Sequence, residues 1–123
     1  MPDEFASASC MVLASLPLAS AALHPFDVPR AFWEEQFGLV LAESMAAGLD
    51  VLAADSGAIA EVLDGQGTLF ASGDWLGLAR RLREGALARP PGGRVAYPAE
   101  LVERYSTRAA GARLAGAYER LGA

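Results

Sequence analysis

Two glutamates, Glu35 and Glu43, are separated by seven residues around the start of a helix predicted over residues 37–47. The segment between them, Gln36 to Leu39, would present unpaired backbone N–H groups at the helix N-terminus. Those donors and the helix dipole favour an anion or a sugar oxygen, and Gly38 would let a ligand come close to the backbone. Glu43 lies about two turns after Glu35 in a largely apolar stretch. Its carboxylate therefore needs partners, and a vicinal diol such as a ribose would supply two donors.

Each of these residues also has a purely structural interpretation. Glu43 could be an ordinary surface glutamate, because glutamate is a good helix former. Glu35 could complement the helix dipole in the first turn, a role that is compatible with ligand binding. Gly57, after the second predicted strand, could serve a tight turn or lie near a phosphate. The spacing of the two glutamates alone does not decide between these interpretations.

The elements that would position these residues are short apolar strands separated by helices. Residues 9–14 are a continuous apolar run, which predicts a strand buried on both faces. Two further strands are predicted at 51–54 and 68–70. Residues 2–8 are predicted to be the end of a helix. Further helices are predicted over the ranges 37–47, 58–63, 75–88 and 99–121, and the last of them is interrupted near Tyr105 and Ser106.

Alternation of strands with helices predicts parallel pairing through right-handed crossovers, so the expected fold class is α/β with a parallel sheet. Ligands bind at the carboxyl ends of strands in such sheets, which is where the helix over residues 37–47 would begin. The preceding loop, residues 15–34, is long, and long loops in compact domains are usually functional. Asp74 and Ser106 are predicted helix N-caps, and Trp75 is expected to pack its helix onto the sheet.

Composition restricts the class of protein. The 123 residues are 53% hydrophobic and 20% charged, with a formal net charge of −5. A chain of this composition can bury a core, and its acidity excludes an overall electrostatic attraction to nucleic acid. The single cysteine, Cys10, rules out an intrachain disulfide, and a buried thiol is expected there. Because the chain begins with acidic residues and Pro17 interrupts its apolar stretch, we expect neither a signal peptide nor a membrane span, and hence a cytoplasmic location.

The residues from Glu35 to Glu43 resemble the E-x7-E motif of glycosyltransferase family 4, whose members have the GT-B fold. The likeness continues in order along the chain. Residues 46–53 resemble the family's "AMA-G-P-V-VA" stretch, with Asp50 in place of the usual proline. Residues 55–62 resemble "S-GG-I-PE-V", with Ala60 in place of proline, and residues 67–74 resemble "GLL-V-PGD".

This resemblance implies that residues 1–123 are the second half of a C-terminal, nucleotide-sugar-binding domain, with a three-layer Rossmann-like parallel sheet. Glu35 would face the donor sugar as the catalytic residue. The backbone amides of Phe37, Gly38 and Leu39 would hold the diphosphate or sugar, and Glu43 would bind the ribose. The reaction would be a retaining transfer of a hexosyl type, with no metal or other cofactor needed.

The resemblance also implies that some parts are missing. The acceptor domain and the Arg and Lys residues that clamp the diphosphate have no counterpart in this sequence, which contains no lysine. Activity of the isolated chain is therefore not expected. The first strand would have an exposed apolar edge, which a second copy or the missing half would cover. Two other functions stay open: a non-catalytic or split-gene module that binds a partner, and a GT-B nucleotide-sugar epimerase.

Overall fold

The computed structural model describes residues 2–15 and 38–122. Its strands are β1 (Cys10–Leu13), β2 (Asp50–Asp55) and β3 (Thr68–Ala71), and they form one parallel sheet in the order β1-β2-β3. The register pairs Cys10 with Asp50 and Leu52 with Thr68. The predicted fold class, α/β with a parallel sheet, is confirmed.

The helices that the structure describes alternate with the strands, as the sequence predicts. They are α1 (Pro2–Ser7), α2 (Leu39–Ala46), α3 (Ile59–Leu63), α4 (Trp75–Glu84), α5 (Ala99–Arg104) and α6 (Thr107–Arg120), with a short 3-10 helix at Ala86–Ala88. Asp74 and Ser106 are N-caps as predicted, because their side chains accept hydrogen bonds from the amides of Gly77 and Ala109.

The hydrophobic core lies on one face of the sheet. Val51 and Ala53 of β2 pack there against residues of α2, α3 and α5, which bury Leu41, Ile59 and Leu101 almost completely. The alternate residues of β2 point to the opposite face. The helix α4 contacts both β2 and β3 without contributing to that core cluster. The sheet is therefore flanked by helices, and β2 is its most deeply buried strand.

Two expectations about burial are wrong. All four residues of β1 are half-buried, whereas the apolar run predicts a strand buried on both faces. Among the described residues β1 has one neighbouring strand, β2, so fewer elements cover its side chains than cover those of β2. Trp75 is 71% exposed and does not pack α4 onto the sheet. It occupies the first position of α4, whose half-buried leucines are Leu78 and Leu82.

The segment that follows α4 closes the amino end of the sheet. The Tyr97 hydroxyl donates a hydrogen bond to the Leu49 carbonyl at 2.7 Å and accepts one from the Val51 amide at 3.3 Å. The pairing of β2 with β3 begins only at Leu52. The Tyr97 hydroxyl therefore takes the place of a strand partner for the Leu49 carbonyl and the Val51 amide, both of which are buried. The guanidinium of Arg94 donates to the carbonyls of α1 and its end, including that of Ala8 at 2.6 Å.

Candidate functional site

The helix α2 begins at the carboxyl edge of the sheet, where the sequence predicts the site. Its N-cap, Gly38, is buried and has a left-handed conformation, with φ 48° and ψ 42°. A Cβ at this position would lie 2.8 Å from the Leu41 Cδ1 atom. Most L-amino acids are strained in this backbone conformation, and the contact with Leu41 adds to that strain, so the fold favours glycine at position 38. Gly38 has no side chain to cap the helix, and no acidic residue lies in the first turn of α2, so the positive end of the helix dipole is not neutralised by a carboxylate of that turn.

One face of α2 borders an open groove with a volume of about 190 Å³. Leu39, Glu43 and Ala46 form the exposed stripe of α2 on this side, at the i, i+4, i+7 spacing of one helical face. The opposite wall comes from the junction of α5 and α6. The lining residues are Leu39, Ala42, Glu43, Ala46, Val102, Glu103, Tyr105 and Ser106. We refer to this feature as the α2 groove.

The charges in the α2 groove are both negative. Glu43 is exposed, and its carboxylate makes no hydrogen bond or ion pair with the described part of the chain. Glu103 is engaged: it accepts hydrogen bonds from Ser106 Oγ at 2.8 Å and from Arg108 Nε at 2.9 Å, and these hydrogen bonds lower the pKa of its carboxyl. None of the described lining residues is basic. The α2 groove therefore suits a ligand that donates hydrogen bonds, such as a polyol, and it does not suit a phosphate.

Serine hydroxyls lie near the carboxyl edge, beyond the groove. The Ser72 hydroxyl lies 3.1 Å from the Asp55 carbonyl and 3.3 Å from the Ser15 carbonyl, so it ties together the ends of β2 and β1. Ser56 directly follows β2 and is only 6% exposed, and its hydroxyl has no hydrogen-bond partner in the part of the chain that the structure describes. A buried hydroxyl without a partner is unfavourable. Gly57 has φ 54°, so the tight turn after β2 already explains that glycine.

The structure places part of the predicted site. Leu39 and Glu43 lie on one face of α2 and line the α2 groove, and Gly38 is the N-cap of the same helix. Glu35 and Phe37 lie outside the described residues, so their predicted roles stay predictions. Tyr105 and Ser106 form the other wall. Sequence reasoning missed that role, because Glu43 is about 60 residues away and only tertiary packing brings the α5–α6 junction beside α2.

Residues 1–85 match the family model described as glycosyl transferases group 1. The matched segment is well over half of the chain and includes α2 with Glu43. The chain therefore belongs to this family of glycosyltransferases, and a sugar donor is the kind of partner that the family implies. The wall of the groove formed by α5 and α6 lies beyond the matched residues. Comparison with curated proteins and with solved structures gives no match.

Among the helices in residues 2–15 and 38–122, none combines the length and the apolar character that crossing a membrane requires.

Proposed function

We propose that this chain binds the nucleotide-diphosphate-sugar donor of a retaining glycosyl transfer, with Glu43 accepting hydrogen bonds from the ribose hydroxyls. The observation that carries this proposal is the position of Glu43, whose carboxylate lines the α2 groove without a partner among the described residues. Two neighbouring hydroxyls of a ribose would satisfy that carboxylate, and Leu39 and Ala42 would contact the apolar face of the sugar ring.

The diphosphate is assigned to the N-terminus of α2. No acidic residue lies in the first turn of this helix, and its N-cap residue is a glycine. The Leu39 amide lies one turn, about 6 Å along the axis, from Glu43. The carboxylate of Glu43 would repel a phosphate, while that of Glu103 is paired with Arg108, whereas the helix end attracts a phosphate. The charges thus favour a single orientation of the donor, with the ribose in the groove and the phosphates at the helix end.

The proposed chemistry is departure of the nucleoside diphosphate from the anomeric carbon. Charge develops on the leaving oxygen in this step, and backbone N–H groups fixed at a helix N-terminus stabilise such charge without reorganisation. In this proposal Glu35 faces the hydroxyls of a hexosyl donor and Phe37, Gly38 and Leu39 supply the amides. We propose that this transfer needs no metal ion or other cofactor. The acceptor site and the basic groups that neutralise the diphosphate are assigned to a partner or to another part of the enzyme.

Calorimetry with uridine, guanosine and adenosine diphosphates and their hexose conjugates tests the proposal. We expect at least one ligand to bind and Glu43→Gln to weaken its affinity by about 10-fold to 100-fold, the loss expected for a hydrogen bond to a charged group. Glu61→Gln is the matched control, because Glu61 is an exposed glutamate of α3 outside the groove. Equal binding by wild type and Glu43→Gln would contradict the role of Glu43. No binding by wild type at millimolar ligand would favour a non-catalytic module instead.

A further inference from the structure

Glu103 is the charged residue of the wall that α5 and α6 contribute to the α2 groove. Its Oε1 atom accepts hydrogen bonds from Ser106 Oγ at 2.8 Å and from Arg108 Nε at 2.9 Å, and Arg108 Nη2 lies 2.8 Å from the same oxygen. Oε2 accepts no hydrogen bond from the described part of the chain. The side chain is 47% exposed. One oxygen therefore anchors the carboxylate, and the other is available to a ligand in the groove.

The contacts with Arg108 and Ser106 hold the Glu103 carboxylate in place before a ligand binds. Ser106 is the N-cap of α6 and Arg108 lies in the first turn of that helix, so both partners belong to one element. Their hydrogen bonds lower the pKa of the Glu103 carboxyl, which keeps the group ionised at neutral pH. An ionised carboxylate accepts hydrogen bonds and donates none. Oε2 therefore needs a ligand group that has an N–H or O–H proton.

The order of groups along a nucleotide indicates which proton reaches Glu103. In the proposed function, on which this step rests, the diphosphate lies at the start of α2 and both ribose hydroxyls donate to Glu43. The remaining N–H donors of the nucleotide are then on its base. The groove extends along α2 past Glu43 to Ala46. Ala46, Val102 and the ring of Tyr105 line it there and supply the apolar and aromatic surface against which the plane of a base packs.

We propose that Glu103 selects the base of the nucleotide, and that its free Oε2 atom favours a base with an exocyclic amino group, guanine or adenine, over uracil. An amino group offers N–H protons that a carboxylate accepts. The N–H of uracil lies between two carbonyl oxygens, and a carboxylate repels both of them. None of the described residues that line the groove is basic, so the lining supplies no cation to attract those carbonyls.

Calorimetry with guanosine, adenosine and uridine diphosphates tests this role of Glu103. We expect the guanosine or the adenosine ligand to bind at least about 10-fold more tightly than the uridine ligand, because an accepted hydrogen bond replaces a repulsive contact. Glu103→Gln should reduce that ratio to less than about 3-fold, since a glutamine amide both donates and accepts hydrogen bonds and so tolerates either base edge. Glu100→Gln is the matched control and should leave the ratio unchanged, because Glu100 is an exposed glutamate of α5 outside the groove.

The ranking of ligands by the wild-type chain gives a result even if Glu103→Gln does not fold. Equal affinities for all the diphosphates, or tightest binding of the uridine ligand, would overturn the role of Glu103. The proposed function would still stand in that case if Glu43→Gln weakened binding. A preference for an amino-bearing base that survives Glu103→Gln would also overturn this role, since another residue would then select the base. Failure of every diphosphate to bind would overturn the proposed function and the role of Glu103 together.

Discussion

Substitution of Gly38 by alanine tests how the start of α2 is built. The left-handed backbone of Gly38 costs an L-amino acid about 1–2 kcal/mol. The new Cβ would also lie 2.8 Å from Leu41 Cδ1, and the Leu41 side chain is completely buried, so it cannot swing into solvent. Overpacking of this kind adds about 1–3 kcal/mol. We therefore expect Gly38→Ala to lower the free energy of unfolding by about 3 kcal/mol, and the melting temperature by roughly 10 °C.

Substitution of two other glycines separates the backbone and packing contributions to this loss of unfolding free energy. Gly65 has φ 77° and open space around its Cα, so Gly65→Ala should lose only the backbone contribution, about 1 kcal/mol. Gly111 lies exposed in the interior of α6 with nothing near it, so Gly111→Ala should stabilise the protein by about 0.5–1 kcal/mol. Urea unfolding measures all three variants. If Gly38→Ala and Gly65→Ala lost the same free energy within about 0.5 kcal/mol, the contact with Leu41 would have no energetic role.

Tyr97→Phe should lower the free energy of unfolding by about 2 kcal/mol, because the buried Leu49 carbonyl and Val51 amide lose their shared partner. Tyr118→Phe on the exposed face of α6 is the control, and equal thermal stability of the two variants would refute this reasoning. Burial, and secondarily the charge of Asp50, raises the pKa of the Cys10 thiol. The folded state then holds the thiol proton more tightly than the unfolded chain does. The contribution of this thiol to the free energy of unfolding is therefore complete at pH 7. That contribution is lost as the pH rises above about 8.5, the usual pKa of a free thiol. Cys10→Ser should therefore lose less stability than wild type between pH 7 and pH 9.5 in urea titrations, and identical losses would contradict this assignment.

Most of the fold could be predicted from short-range patterns. The three strands, the N-caps Asp74 and Ser106 and the break between α5 and α6 depend on local composition, and the structure confirms each of them. The burial of β1 and the exposure of Trp75 could not be predicted in this way. They depend on which elements are neighbours in space, and hydrophobicity along the chain does not contain that information.

The candidate site, too, could be predicted from the sequence only in part. The spacing of Glu43 from Glu35 does not by itself identify a site residue, and the resemblance of the flanking segments to a known family is what predicts its role. The opposite wall of the groove could not be predicted, because Tyr105 and Ser106 are brought beside α2 only through the packing of Leu101 into the core. The sequence predicts that Gly38 lets a ligand come close to the backbone, and it does not predict the role of this glycine in the fold. The structure shows a left-handed N-cap against Leu41, a conformation that no residue pattern specifies.

The central claim is that Glu43 and the start of α2 bind a nucleotide-linked sugar. The most direct measurement is a titration of the isotopically labelled chain with a nucleoside diphosphate sugar, followed by backbone amide resonances. We expect the resonances of Leu39, Glu43 and Ser106 to shift together and to saturate, and those of Arg80 and Arg83 on the exposed side of α4 not to shift. Saturable shifts confined to α4, with the α2 groove unchanged, would contradict it.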